Sequence, residues 1–185
     1  MNQRTAQLLS RLGHPFLLLA AASAALAAVR PQDPDAWLVL AVGDFGLPGL
    51  WLAWGLHAGW WRDPDVADRA ARLRFLIPVG LVTLVVATLL TRMPATTLTR
   101  HLALVAAAWT LSFTVITRWW QISFHAAGAA GLTVFLWLHF RQPAWMLLGI
   151  PALAVGWSRL VLQRHTPAQV AAGALLGLVF PFLWH

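Results

Sequence analysis

The chain has 185 residues, of which 59% are hydrophobic and 10% charged; a soluble globular domain carries about a quarter charged residues, so a water-exposed surface is excluded and the apolar stretches read as lipid-facing or buried in a membrane bundle. The formal net charge is +7, every cation being Arg and every anion Asp, and the arginines sit mostly at the ends of apolar runs, where headgroups or phosphorylated lipids are nearer partners than nucleic acid. With no cysteine, disulfides, thiolate metal sites and thiol redox motifs are excluded.

Seven apolar segments follow one another, at roughly 14–30, 36–60, 73–91, 99–118, 124–141, 143–162 and 166–184. Most reach the length of about 17–25 residues that a membrane helix needs, and none alternates as the strands of an outer-membrane barrel do. The expected fold is therefore all-α: a polytopic transmembrane bundle of about six or seven helices, one integral membrane domain over residues 1–185. The first run, from Pro15, follows Arg4 and Arg11. It has the look of a signal-peptide core, but further hydrophobic runs come after it, so a retained first span is expected. The second segment contains Gly43, Asp44, Gly46, Pro48 and Gly49, which predict a break or kink. Asp44 has two readings: an intramembrane carboxylate, a functional suspect by default, or a residue near the interface if the segment starts later. Trp37, Trp60, Trp61, Trp119, Trp120 and Trp184 flank apolar runs, as interfacial anchors do.

Three polar clusters interrupt the apolar runs. The first, Trp61 to Arg74, holds Arg62, Arg69, Arg72 and Arg74 with Asp63, Asp65 and Asp68. If helical from Asp65 onward, it places Arg69 and Arg72 on one face, a multi-donor clamp suited to phosphate oxygens; equally, it is a solvated loop whose arginines pair with its aspartates. In the second, Ser123 and His125 precede a Gly- and Ala-rich run; small residues allow close helix packing in lipid. A hydroxyl and an imidazole at a helix start can meet an anion together with free N–H groups, although a single interfacial His is ordinary. In the third, Ser158 and Arg159 end one run and His165, Thr166 and Pro167 open the next, Pro being at ease in a first helical turn. Gln169 and Gly173 follow at steps of four on one face, so His165 turns toward whatever they face. An imidazole nitrogen there can attack phosphorus if Arg159 holds the phosphate oxygens. Two histidines without a third plausible ligand do not make a zinc site, and no metal or other cofactor is expected. If all seven segments span, the N-terminus and the junctions at 60–73, 118–124 and 158–166 share one face of the membrane.

The second and third clusters resemble the signature of the type 2 phosphatidic acid phosphatase and vanadium haloperoxidase superfamily. Its closing motif is Ser-Arg, five residues, His, three residues, Asp; Ser158, Arg159 and His165 match it in identity and spacing, and Gln169 stands where the family has Asp. Of the family's Pro-Ser-Gly-His, this chain keeps Ser123 and His125 and has Ile122 and Phe124 at the other two positions. Arg62 and Arg69 keep the spacing of the opening motif, Lys, six residues, Arg, Pro, with Arg for Lys and Ala70 for Pro; Asp68-Arg69 followed by Arg72, and His165-Thr166 ahead of Gln169, are similar to divergent bacterial members. The resemblance covers residues 118–180 best.

What the resemblance implies is a membrane phosphohydrolase acting on a lipid phosphate or isoprenyl (di)phosphate without a metal. His165 would be the nucleophile that becomes phosphohistidine, His125 the general acid, and Arg159 a transition-state contact. Arg69, Arg72, Arg62, Ser123 and Ser158 would bind the phosphoryl group, and Gln169 would orient His165. Gln169 in place of a carboxylate keeps two alternatives in view: a weak or non-hydrolytic lipid-phosphate binder or transporter, and a lipid phosphotransferase. A soluble haloperoxidase does not fit so apolar a chain. The resemblance places such a protein in the bacterial plasma membrane with an extracytoplasmic site. The positive-inside rule would put the arginine-rich face in the cytoplasm, but those arginines are the expected ligands and are not an independent vote.

Overall fold

A computed structural model describes residues 3–183, and these are helical, with no strand among them. The helices are α1 (Gln3–Leu12), α2 (Pro15–Val29), α3 (Pro34–Leu40), α4 (Leu47–His57), α5 (Arg69–Arg92), α6 (Thr97–Thr117), α7 (Phe124–Phe140), α8 (Gly149–Val161) and α9 (Pro167–Val179). A π-helical stretch, Ala41–Gly46, joins α3 to α4, and short 3-10 turns at Pro143–Leu148 and Phe180–Phe182 precede α8 and follow α9. The apolar segments and the helices coincide closely because the starts are written locally. Pro stands in the first turn of α3 and α9. Asp68, Thr96, Ser123 and Thr166 cap α5, α6, α7 and α9 through side-chain oxygens.

Four helical stretches among the described residues are long and apolar enough to cross a membrane: Pro34–His57, Arg69–Arg92, Thr97–Thr117 and Pro143–Val161. A fifth results if α1 and α2, bent by 45° at their junction, count as one span. Phe124–Phe140 and Pro167–Phe182 are apolar but shorter. Side-chain exposure agrees with a lipid setting. On α5, Ile77, Leu81, Leu84 and Val85 form an exposed stripe at helical spacing, Leu81 being 60% exposed, while Leu76, Val79, Gly80 and Thr83 are buried. An outward stripe of Ile, Leu and Val has hydrocarbon as its natural solvent.

The chain divides into two compact units, one made of Met1–Ala22 and Trp120–His185, the other of Ser23–Trp119.

In the second unit, α5 and α6 pair as a hairpin. Arg100 donates to the Leu90 and Met93 carbonyls at 3.1 Å each, closing the C-terminal end of α5. Asp33 accepts from the Thr96 N–H at 2.8 Å and the Thr99 hydroxyl at 2.6 Å, placing a carboxylate at the N-terminus of α6. The predicted break at Gly43–Gly49 is instead a π-helical stretch inside one continuous helix. Gly43 lets it close on α5, since a Cβ there would lie 2.2 Å from Val86 Cγ2. Asp44 sits in the middle of that helix, 7% exposed, so the reading that places it at a later-starting segment's edge is corrected. Trp61 is likewise not an interfacial anchor. It is buried, donates to the Leu52 carbonyl at 2.9 Å, and stacks edge-on with Trp51, Trp60 and Phe75 over Gly55. Trp37 is buried as well, bonded to the Arg30 carbonyl. Trp119 and Trp120 are exposed, as anchors require; Trp184 lies outside the described residues.

In the first unit, α7 is buried along most of its length between α8 and α9, and α1 lies on α8. Gly173 and Gly177, four apart on α9, press against the backbone of α7: Cβ atoms there would fall 2.4 Å from the Ser123 carbonyl oxygen and 2.2 Å from that of Ala127. This is the small-residue contact that apolar solvent favours, where close backbone approach replaces the hydrophobic drive available in water.

Candidate functional site

The close approach of α9 to α7 determines the rest of the first unit's geometry. Ser123 is the N-cap of α7, its hydroxyl accepting from the Ala126 N–H at 3.3 Å. Its own N–H donates to the Gln169 carbonyl at 3.1 Å. The face of α9 that carries Gln169 and Gly173 therefore looks onto the turn that carries Ser123 and His125. Sequence clusters two and three meet there. Ser123 is fully buried and His125 is 4% exposed.

The C-terminus of α8 explains the spacing between Arg159 and His165. Leu162 ends the helix, and Gln163 takes the left-handed conformation at φ +52°. The Gln163 N–H returns to the Leu160 carbonyl at 3.0 Å and the Arg164 N–H to the Arg159 carbonyl at 3.0 Å. This is the Schellman closure of a helix, with Gln where Gly is usual. The His165 N–H also reaches the Arg159 carbonyl, at 3.4 Å. Five intervening residues thus close one turn that folds His165 back over the end of its own helix. Arg159 is 2% exposed, and its Nη1 donates to the Ser10 hydroxyl. Ser158 is buried with its hydroxyl donating to the Val155 carbonyl at 2.6 Å, which commits that proton to its own helix.

Gln169 has a local duty. With Thr166 it forms a capping box: Thr166 accepts from the Gln169 N–H at 3.3 Å, and Gln169 Oε1 accepts from the Thr166 N–H at 2.9 Å. At the third position behind a Thr cap, a Gln side chain reaches back to the cap's N–H. The oxygen expected to orient His165 is used this way.

Sequence reasoning missed α1. Its residues Ala6 and Ser10, with Gly13 just beyond, line one face and dock on α8; a Cβ at Gly13 would meet Val155 Cγ2 at 2.4 Å. The His14 ring stands edge-on to His125, centroids 5.3 Å apart and planes at 85°. The available signal was the spacing of Ala6, Ser10 and Gly13, a small-residue stripe of the kind that marks close packing.

The arginines of the first cluster belong to the second unit. The stretch Asp65–Ala67 is not helical; α5 starts at Arg69 behind its Asp68 cap, so the expected clamp starting at Asp65 is corrected. Arg72 is buried, with Nε donating to the Val66 carbonyl at 3.0 Å and Nη2 to that of Asp65 at 3.2 Å. It braces a loop in which Val66 itself is left-handed, at φ +46°. Arg69 and Arg62 are exposed, Arg69 donating to the Trp119 carbonyl at 3.4 Å.

Charge separates the units sharply. All six acidic residues, Asp33, Asp35, Asp44, Asp63, Asp65 and Asp68, lie in the second, whereas the first carries Arg4, Arg11, Arg141, Arg159 and Arg164 and no carboxylate side chain. From its own residues the first unit thus offers imidazoles, a buried guanidinium and hydroxyls, a donor set for an oxyanion rather than for a hard divalent cation, which prefers oxygen ligands. Comparison with protein-family models, with curated proteins and with solved structures gives no match.

Proposed function

We propose that the chain is a membrane phosphohydrolase that removes phosphate from a lipid phosphate or isoprenyl (di)phosphate, and that its chemistry is carried by His125, Arg159 and His165. The observation that carries this reading is the junction of α7 with α9. The Ser123–Gln169 backbone bond and the Gly173 contact bring the His125 turn to the face that His165 opens, and the Arg159 carbonyl holds the His165 N–H. The unit holding these residues contributes cations and no carboxylate side chain of its own.

In this mechanism a neutral His165 nitrogen attacks phosphorus. The N–P bond forms as the bond from phosphorus to the lipid oxygen breaks, and His125, protonated, gives its proton to the departing alkoxide. Arg159 and the Ser123 end of α7 take up the charge that builds on the equatorial oxygens. Water then attacks the phosphohistidine, the N–P bond breaks, phosphate leaves, and the water proton returns to His125. The lipid tail lies between helices. With α7 and α9 as short spans beside the longer ones, the chain crosses a bacterial plasma membrane six or seven times, the site facing outward.

One observation favours a second reading, a lipid-phosphate binder with little turnover. Gln169 Oε1 is engaged by the Thr166 N–H, so the position that would stabilise a His165 imidazolium bears neither a charge nor an uncommitted carbonyl. Purified protein assayed without added metal on phosphatidate, phosphatidylglycerol phosphate and an isoprenyl diphosphate tests both. The expected result is phosphate release that His165→Ala abolishes, with a phosphorylated His165 trapped on rapid quenching. Unchanged release in His165→Ala ends the nucleophile assignment. Phosphate binding without release favours the binder, and transfer to an added alcohol identifies a phosphotransferase.

A further inference from the structure

We propose that Ser10 is a positioning residue for Arg159, a neutral tether that aims the guanidinium while leaving its whole charge for the phosphoryl group; this rests on the phosphate chemistry proposed above. Ser10 lies on the buried face of α1 between Ala6 and Gly13. Packing alone asks for a small residue there, and Ala would serve. A buried hydroxyl carries a desolvation penalty unless it is bonded, and its partner is Arg159 Nη1, 149 residues away in sequence and itself 2% exposed.

The kind of acceptor matters. A carboxylate would hold an arginine more firmly, but it would cancel the charge and compete with an incoming anion. A serine oxygen accepts one N–H and leaves the other guanidinium donors and the full positive charge in place. Its own O–H remains a donor, able to reach the same phosphoryl oxygens. The unit that holds Arg159 keeps to this pattern, since it contains no Asp or Glu. α1 thus becomes a part of the site's wall rather than a leader to the first apolar run.

The test uses the full chain in detergent micelles with inorganic phosphate as probe. Binding is measured by calorimetry, and turnover on phosphatidate is followed beside it. Ser10→Ala is expected to weaken phosphate binding about ten-fold and to lower kcat/KM in step, since a misaimed contact of about 1 Å can cost up to about a hundred-fold. Ser10→Thr keeps the hydroxyl and restores binding. Ser10→Asp is the decisive variant: it strengthens the tether, so thermal stability holds or rises, yet it should bind phosphate least of all. A purely structural role predicts the opposite, with Ser10→Asp behaving as wild type or better. Phosphate affinity unchanged in Ser10→Ala, or wild-type affinity in Ser10→Asp, overturns the proposal. Wild-type protein that binds phosphate with this dependence on Ser10 but releases none from lipid overturns only hydrolysis. Wild-type protein that binds no phosphate overturns the role of Ser10 directly.

Discussion

Gly173→Ala should be among the most damaging single-methyl additions in the first unit. The new Cβ would lie 2.4 Å from the Ser123 carbonyl oxygen and 3.1 Å from its carbon and nitrogen, where ordinary contact begins near 3.4 Å. All three atoms are backbone, so no rotamer change relieves them, and α9 must retreat by about 1.0 Å (3.4 − 2.4). Overpacking of this kind costs about 1–3 kcal/mol. The same retreat stretches the 3.1 Å bond from the Ser123 N–H to the Gln169 carbonyl past useful length, a further loss of about 0.5–1.5 kcal/mol. The expected destabilisation is therefore about 1.5–4.5 kcal/mol. Because the displaced turn carries Gln169 and His165, phosphate release should fall by up to about a hundred-fold even where the protein stays folded. Gly149→Ala is the internal control: nothing lies within 4 Å of its Cβ, and replacing a helical Gly by Ala should stabilise by about 0.5–1 kcal/mol. Equilibrium unfolding in mixed micelles, followed by circular dichroism, measures the difference. A Gly173→Ala protein within about 0.5 kcal/mol of wild type, far below the overpacking cost, would refute the close approach of α9 to α7 and with it the meeting of the two sequence clusters.

Gln169→Glu should keep the capping box, since Glu fills the same position in such boxes, and should raise phosphate release by placing a carboxylate on the face that His165 opens; equal or lower release would refute the idea that the amide limits His165. Gln169→Asp lacks the reach to the Thr166 N–H and should lose about 0.5–1.5 kcal/mol of stability, read in the same unfolding assay. Arg72→Lys should destabilise by about 2–4 kcal/mol, since one ammonium cannot reproduce two separate guanidinium bonds made in a buried setting, whereas Arg69→Lys, at an exposed position, should leave stability within about 0.5 kcal/mol. Arg72→Lys as stable as wild type would show that its loop does not depend on it.

Several features of the site were legible in single stretches of sequence. The Thr166-Pro167 start of α9 and the Ser123 start of α7 follow from capping chemistry that acts within four residues. The run from Arg159 to His165 reads as a turn between helices, although Gln at the left-handed position hides the usual glycine signal. Other features misled for reasons that are equally physical. Gln169 looked like a partner for His165 because side chains four apart share a face, yet the nearer N–H of Thr166 took its oxygen. Arg72 looked like a phosphate ligand because arginines favour phosphate, yet the bare carbonyls of a left-handed loop were closer. Gly43 looked like a helix breaker, but in apolar solvent a helix keeps its backbone bonds, and the glycine served close packing on Val86 instead.

Hydropathy and caps are sums over neighbours in the chain, so the sequence by itself determined that this protein is helical, where its helices begin, and that several are long and apolar enough to span a lipid bilayer. Partners far apart in sequence are another matter, because any small residue can meet any other and any acceptor can take an arginine's proton. Only the tertiary structure decided that Gly173 would admit the backbone of Ser123 and that Ser10 would be the oxygen bonded to Arg159.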